Sequence, residues 1–167
     1  MRTRLEVVGS ARTHRNAKYQ EEVWTAAVQE ADALLVFGGD VHYLCRWMQE
    51  SGLADLLPSL RDTVYVGISA GSMVTAPIFG ETYDEPEKPF VIEKGIGLVD
   101  FALIPHMHNP KFPESTSAKV VKMAAEVPFP TYGIDDQTAI KVNDGVVEVI
   151  SEGHWKLFAP QTQSNIL

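Results

Sequence analysis

A glycine–serine–glycine turn placed directly after an apolar strand restricts the folds that this chain can adopt. Residues 64–66 are a β-prone apolar run, and residues 67–71 continue it as Gly-Ile-Ser-Ala-Gly. The G-x-S-x-G pattern places a serine on a sharp turn from a strand into a helix, with its hydroxyl exposed at the edge of a sheet. Glycines flank the serine because such a turn needs free backbone angles and close approach of backbones. The pattern predicts a strand–turn–helix unit with Ser69 as a candidate nucleophile.

Strand and helix patterns alternate on the N-terminal side of this turn. Residues 33–37 are a continuous apolar run that ends at Gly38 and Gly39, which is typical of a strand buried on both faces of a parallel sheet. Residues 17–31 and 42–50 are helical in pattern, the first with apolar residues at helical spacing and the second ending near a Ser-Gly pair. The alternation predicts an α/β fold with a doubly wound, mostly parallel sheet and helices on both faces.

The second half of the chain predicts a loop, two more buried strands and an antiparallel tail. Residues 75–96 are rich in Pro, Glu and Gly and are expected to form a long loop with a short hairpin. The further predicted elements are strands at 101–104, 131–134, 138–142, 146–150 and 155–158 and a helix at 115–125. Asn-Asp-Gly at 143–145 is a strong signal for a hairpin. No repeat or low-complexity linker divides the sequence, so a single domain over residues 1–167 is expected.

Composition excludes several classes of partner. The chain has 22 acidic and 14 basic residues, a net charge of −8 and no cluster of Lys or Arg, so neither nucleic acid nor an anionic membrane is expected to bind. Cys45 is the one cysteine, which rules out an internal disulfide and is compatible with a reducing compartment. No apolar run approaches the roughly 18 residues of a membrane span, and the N-terminus lacks the apolar core of a signal peptide. These features predict a cytoplasmic protein.

Several predicted strands end in residues that could serve an activated serine. Such a serine needs a base, a group that orients the base, and donors for an oxyanion. His106 comes directly after one predicted strand and Asp136 after another, while the Gly38–Gly39 pair follows a third. The backbone N–H of Ala70, the residue after the serine, is the usual second oxyanion donor. Since α/β sheets place their sites at strand ends, the residues favour a serine hydrolase.

Each residue also has a plain structural explanation. The serine turn could be an ordinary strand–helix connection, and His106 could be a surface or capping residue. Asp135 and Asp136 could form a solvated turn or an N-cap. A metal site is a further alternative, because His106 and His108 are two residues apart; the added ligands would come from Asp84, Asp135, Asp136 or His154. No nucleotide-binding motif is present, so no nucleotide cofactor is expected.

Four segments of the chain together resemble successive signatures of the S51 serine peptidases, a family that includes dipeptidase E (aspartyl dipeptidase) and the cyanophycinases. They are VFGGDVHYL at 36–44, VGISAGS at 66–72, IPHM at 104–107 and GIDDQTAI at 133–140. The resemblance covers nearly the whole chain. It implies a class I glutamine-amidotransferase-like α/β fold and hydrolysis of short peptides without a metal or organic cofactor.

The resemblance also implies a role for individual residues. Ser69 matches the nucleophile, His106 the general base, and Asp136 the third member of the triad, a position where the family usually has glutamate. Gly39 and Ala70 match the donors of the oxyanion hole.

On the substrate side, Asp84 matches an acidic residue near the substrate's α-amino group, which implies an exopeptidase. Gly38 and Asp40, which flank Gly39 in the loop after the predicted strand at 33–37, are also expected to contact the substrate. Dipeptidase E binds the substrate's aspartate through an arginine, whereas this chain has no arginine after Arg61 and offers Lys119 in the matching stretch. Lysine is not an equivalent bidentate partner for a carboxylate, so strict selectivity for aspartate is not implied.

Three further expectations follow from the resemblance. The chain is expected to begin near the family's second or third strand and to lack the leading strand–helix unit. Without that unit, the strand that would pair with it has an exposed edge, and pairing of this edge with a second copy would give a homodimer. A β-aspartyl peptidase or amidase like the cyanophycinases, and a catalytically silent binding protein, are the alternative functions.

Overall fold

The computed structural model describes residues 5–6, 24–81, 91–113 and 115–160. Contacts between residues group the chain into two compact units, residues 1–72 (unit 1) and residues 73–167 (unit 2). The single domain expected from the sequence stays a prediction.

Unit 1 contains a parallel sheet in the order β1-β2-β3. Its strands are β1 (Leu5–Glu6), β2 (Ala33–Val36) and β3 (Val64–Gly67). In the register of β2 and β3, Ala33 is opposite Val64 and Val36 is opposite Gly67. The carboxyl ends of these two strands therefore lie side by side, and the loops that follow them start from the same edge of the sheet. The parallel pairing predicted for this part of the chain is confirmed.

The helices of unit 1 follow its strands in the predicted alternation. They are α1 (residues 24–29), α2 (Val41–Glu50), α3 (Leu53–Leu56), a 3₁₀ turn (Leu57–Ser59) and α4 (Ala70–Met73), within which the two units divide. Helix α2 buries Val41, Cys45 and Met48, which recur on one face at helical spacing. The predicted helix at 17–31 is confirmed from residue 24, and its earlier residues lie outside the described part of the chain.

The expectation that residues 33–37 are buried on both faces is wrong. Leu34 is buried, the other three residues of β2 are half-buried, and Phe37 is 59% exposed. The strand ends at Val36, so Phe37 already belongs to the glycine loop and has left the sheet. The apolar run in the sequence is therefore longer than the strand it encodes.

Unit 2 contains a mixed three-stranded sheet and two antiparallel pairs. Its elements are β4 (Ile78–Glu81), β5 (Val91–Lys94), β6 (Ala102–Ile104), α5 (Ser117–Glu126), β7 (Thr131–Ile134), β8 (Thr138–Asn143), β9 (Val146–Ser151) and β10 (Trp155–Phe158). The sheet order is β10-β7-β6, with β6 parallel and β10 antiparallel to β7. The predicted hairpin β8–β9 is confirmed, with Asp144 and Gly145 at positive φ in its turn. The pairing of β4 with β5 confirms the short hairpin expected within residues 75–96.

All three residues of strand β6 are buried. Ile104 packs with Val120 of α5 in one apolar cluster, and Leu103 packs with Ile134 of β7 in another, with Ile140 of β8 packed against it. Successive side chains of a strand point to opposite faces, so β6 contributes to the core on both sides. His106, two residues beyond the end of this strand, is therefore attached to a buried element.

The coarse fold class is α/β with mixed sheets. The described strands form four sheets, so the doubly wound arrangement predicted from the sequence stays a prediction. None of the helices in the described ranges has the length and apolar character needed to cross a membrane.

Candidate active site

Ser69 lies on the turn between β3 and α4 in unit 1. Its φ of 56° is a left-handed conformation that non-glycine residues adopt infrequently. Backbone hydrogen bonds fix the turn, from Gly71 N–H to Ile68 O at 3.0 Å and from Ser72 N–H to Ser69 O at 2.9 Å. The predicted strand–turn–helix unit is confirmed, with the serine at its strained residue.

The glycines of the motif are required by close approach of backbones. A Cβ on Gly71 would collide with the carbonyl oxygen of Val36, and one on Gly67 would collide with the carbonyl oxygen of Gly71. Ile68 N–H donates to Val36 O at 2.9 Å, which holds the turn against the end of β2. The Tyr65 hydroxyl donates to Gly71 O at 2.7 Å, and burial raises the pKa of this phenol, so it remains a donor. The turn is thus tied to the sheet at both of its ends.

The glycine loop after β2 passes directly beside the serine. A Cβ on Gly38 would lie 2.8 Å from Ser69 Cβ and 3.0 Å from Ser69 Oγ, and 3.8 Å from the backbone nitrogen of Ala70. Gly39 has a φ of 133°, which side chains seldom allow. Unit 1 therefore brings together the serine and the loop in which the sequence placed the oxyanion donors. The donor roles of Gly39 and Ala70, and a contact of Gly38 with substrate, stay predictions.

The other two residues predicted to bind substrate have different outcomes. Asp40 is the N-cap of α2, where its Oδ1 accepts the Tyr43 N–H at 2.8 Å. This bond satisfies one of the unpaired amides at the start of a helix, so Asp40 has a structural function. Its contact with substrate stays a prediction. Asp84 lies outside the described residues.

In unit 2, His106 and Asp136 form a hydrogen-bonded pair. Strands β6 and β7 are parallel, with Ile104 opposite Gly133, so the residues just beyond them are neighbours. His106 Nδ1 lies 2.8 Å from Asp136 Oδ1; the side chains are 19% and 51% exposed. An ionised carboxylate can only accept, so a neutral ring in this bond has its proton on Nδ1 and its lone pair on Nε2. This is the tautomer that a general base paired with an acid requires.

Two contacts of this pair were missed by the sequence analysis. Asn109 Nδ2 donates to Asp136 Oδ2. The ring of Phe112 stacks on the His106 ring, with centroids 4.2 Å apart and planes at 13°. Asn109 precedes a proline, a pair that favours turn initiation, so the sequence signals a turn but not the contact it makes.

A second histidine–aspartate pair lies next to the first. His154 Nδ1 is 3.5 Å from Asp135 Oδ2, and the side chains are 85% and 12% exposed. Burial acts to raise the pKa of Asp135, but hydrogen bonds from the backbone of His154 and Gln137 and from the Thr138 hydroxyl, with the His154 charge, hold it below the ordinary 3.8. Asp135 is therefore an ionised carboxylate that joins two turns.

The metal site considered as an alternative finds no support among the residues described. No group of three or more His, Cys, Asp or Glu within them is arranged to hold a metal ion. His106 is bonded to Asp136, and His108 Nε2 lies 3.1 Å from Ser117 Oγ.

Comparison with known proteins identifies a family. The model of Peptidase family S51 matches residues 8–150. Peptidase E of Nostoc sp. is 27% identical over 78% of this chain and 57% of its own length. A Drosophila melanogaster protein named "Probable alpha-aspartyl dipeptidase" is 28% identical over 79% of this chain and 58% of its own length. The chain thus spans less than two thirds of these relatives.

A solved structure shares the fold. The crystal structure of a peptidase from an acI-B1 Actinobacterium superposes with a TM-score of 0.61 and 20% identity, over 84% of this chain and 62% of that one. At this identity the likeness concerns the fold alone. It agrees with the α/β class and mixed sheets described above.

Proposed function

Because this chain belongs to peptidase family S51, we propose that it is a serine exopeptidase that hydrolyses short peptides with a free amino end. The proposal includes a doubly wound fold of the class I glutamine-amidotransferase type, which the parallel order β1-β2-β3 supports. It needs no metal or organic cofactor, since a serine, a base and backbone donors suffice for acyl transfer.

In the proposed mechanism Ser69 Oγ attacks the carbonyl carbon of the scissile bond while His106 Nε2 takes its proton. The oxyanion that forms accepts hydrogen bonds from the backbone N–H groups of Gly39 and Ala70. The intermediate collapses to an acyl-enzyme as His106 gives the proton to the leaving amine. Water then attacks the ester with the same base, which restores Ser69. Asp136 holds the tautomer of His106 throughout.

The observation that carries the proposal is the His106–Asp136 pair. A histidine with its Nδ1 bonded to a carboxylate at 2.8 Å has Nε2 as its basic atom. The strained φ of Ser69 adds independent support, because a nucleophile elbow is a known reason for a non-glycine residue to adopt a left-handed conformation. The shorter aspartate, at a position where glutamate is usual, reaches the ring without difficulty.

The relatives' names indicate the substrates to test first. One is named an alpha-aspartyl dipeptidase, and we propose dipeptides as the substrate class for this chain as well. The chain has no arginine after Arg61, so we expect aspartate at the amino end to be accepted without being required. A panel of α-aspartyl, β-aspartyl and uncharged dipeptides separates this expectation from the cyanophycinase-like alternative.

Replacement of the nucleophile tests the proposal. Ser69→Ala is expected to lower kcat/KM for the best dipeptide of the panel by on the order of 10⁴-fold or more, as loss of a serine nucleophile does in other hydrolases. Ser59→Ala is the matched control, because this hydroxyl is exposed and donates to the carbonyl oxygen of Leu56. A fluorophosphonate should label the wild-type chain and Ser59→Ala on Ser69.

Two outcomes would overturn the assignment. One is hydrolysis by Ser69→Ala at the wild-type rate, which would remove Ser69 as the nucleophile. The other is a wild-type chain that neither hydrolyses the panel nor reacts with the fluorophosphonate, which would favour the silent binding protein.

A further inference from the structure

Asp136 is held on both of its carboxylate oxygens by the segment that carries His106. Oδ1 accepts from His106 Nδ1 at 2.8 Å, and Oδ2 accepts from Asn109 Nδ2. The Asp136 side chain is 51% exposed. An exposed aspartate can rotate away from its partner and be solvated, so a second fixed contact restricts it to the rotamer that faces the histidine.

The orientation of the Asn109 amide is determined by its two partners. Lys111 N–H donates to Asn109 Oδ1 at 2.8 Å, so the amide oxygen faces a donor and the amide nitrogen faces Asp136. A flipped amide would set N–H against N–H and oxygen against carboxylate oxygen. Asn109 is therefore a donor to Asp136.

The backbone of the same segment fixes Asn109 relative to His106. Asn109 N–H donates to His106 O at 3.2 Å, and Phe112 N–H donates to Asn109 O at 2.9 Å. Phe112 in turn stacks on the His106 ring. His106 itself has a φ of 67°, a conformation that requires such support. His106 and Asn109, the second donor to Asp136, thus belong to consecutive turns joined by backbone hydrogen bonds.

We propose that Asn109 is a positioning residue of the catalytic pair, which holds Asp136 in the rotamer that bonds His106 Nδ1. The proposal rests on the proposed function of His106 as the general base. Asn109 reaches the reacting atoms through Asp136. Its contribution is expected in kcat more than in KM, because a misplaced acid weakens the base and leaves substrate contacts intact.

A purely structural role for Asn109 makes a different prediction, and Asn109→Asp separates the two. Aspartate keeps an oxygen that accepts the Lys111 N–H, so the turn is preserved. It loses the amide hydrogens and places an oxygen against Asp136. Asn109→Ala removes both contacts. A residue that only shapes the turn would tolerate Asp and not Ala, whereas a donor to Asp136 would tolerate neither.

Kinetics of the full chain are the first measurement. Asn109→Asp is expected to lower kcat on the order of 10-fold or more, because Asp136 loses a charge-assisted hydrogen bond and faces a like charge, with KM near the wild-type value. Asn143→Asp is the matched control, because it makes the same amide-to-carboxylate change at the exposed end of β8. A wild-type kcat for Asn109→Asp, with a lowered kcat for Asn109→Ala, would overturn the proposal.

The second measurement does not depend on turnover. Long-range proton–nitrogen correlation spectra report the tautomer of His106, which should be Nδ1–H in the wild-type chain and in Asn143→Asp. In Asn109→Asp a mixture of tautomers is expected. If the wild-type chain hydrolyses nothing, a changed tautomer in Asn109→Asp alone still supports the positioning role while the peptidase proposal fails. An unchanged His106 tautomer in Asn109→Asp contradicts the positioning role whether or not the chain is active.

Discussion

Two histidine–aspartate pairs lie side by side in unit 2, and the same residue types have opposite environments in them. In the first pair the histidine is enclosed and the aspartate is half exposed, at 19% and 51%. In the second the aspartate is enclosed and the histidine is exposed, at 12% and 85%. The adjacent residues Asp135 and Asp136 are thus used in different ways.

The bonding of the two carboxylates explains the difference. Asp135 accepts backbone N–H groups of His154 and Gln137 and the Thr138 hydroxyl, so its charge is used to close turns. Within the described part of the chain, Asp136 instead accepts from two side chains, those of His106 and Asn109. Hydrogen bonds from backbone amides make Asp135 part of the fold, whereas the short bond from the His106 ring lets Asp136 select the tautomer of that ring. The hydrogen-bond partners of the two aspartates therefore predict different roles for them.

The largest expected effect is the difference in kcat between two variants, in each of which one of the aspartates is replaced by asparagine. Asp136→Asn would donate its amide to His106 Nδ1 and move the ring proton to Nε2, the wrong tautomer for a base. A loss on the order of 10³- to 10⁴-fold in kcat is expected, as for the acid of other serine triads. Asp135→Asn should leave kcat per folded molecule within about threefold, because the carboxylate of Asp135 accepts from His154, Gln137 and Thr138.

Equal losses in the two variants would remove the distinction between the pairs. The comparison must use kcat per folded molecule, with the folded fraction of each variant measured by circular dichroism, since Asp135→Asn is also expected to lower stability. A full kcat in Asp136→Asn would show that another residue orients His106.

The second expected effect is on stability and has the reverse order. Both oxygens of Asp135 accept hydrogen bonds, and in Asp135→Asn one of them is replaced by an NH₂ group that cannot accept. Losing this acceptor is expected to lower the free energy of unfolding by about 1–3 kcal/mol. Asp136→Asn should change it by less than about 1 kcal/mol, because its side chain is half exposed. Urea unfolding of both variants at neutral pH measures this difference.

The pH dependence of the same measurement gives an internal check. The pKa of Asp135 is lower in the folded chain than its ordinary 3.8, so the stability it adds is complete above that value and is lost as pH falls through the lowered pKa. The difference between the wild-type chain and Asp135→Asn should therefore be constant near neutrality and shrink in acid. A difference that grew as the pH fell would contradict the assigned direction.

Much of the site was predictable because its residues follow strands directly. The strand–turn–helix at Ser69 and the placement of His106 and Asp136 after neighbouring strands depend on local apolar patterns, which the sequence states clearly. The positive φ of His106 and the contacts of Asn109 depend on how the segment after β6 closes on itself, and propensities do not encode that. The pairing of β10 with β7 was likewise hidden, because it joins strands separated by a whole hairpin.

The smallest expected effect is that of the exposed histidine. His154→Ala removes a ring that is 85% exposed and 3.5 Å from its partner, while the backbone N–H that binds Asp135 stays in place. An exposed ion pair contributes about 0.2–1 kcal/mol, so the free energy of unfolding should fall by no more than that, and kcat should not change. His106→Ala, the matched change in the other pair, should abolish hydrolysis. If His154→Ala also lowered kcat more than about threefold, the second pair would be coupled to the reaction. The assignment of Asp135 to the fold and of Asp136 to the reaction would then be wrong.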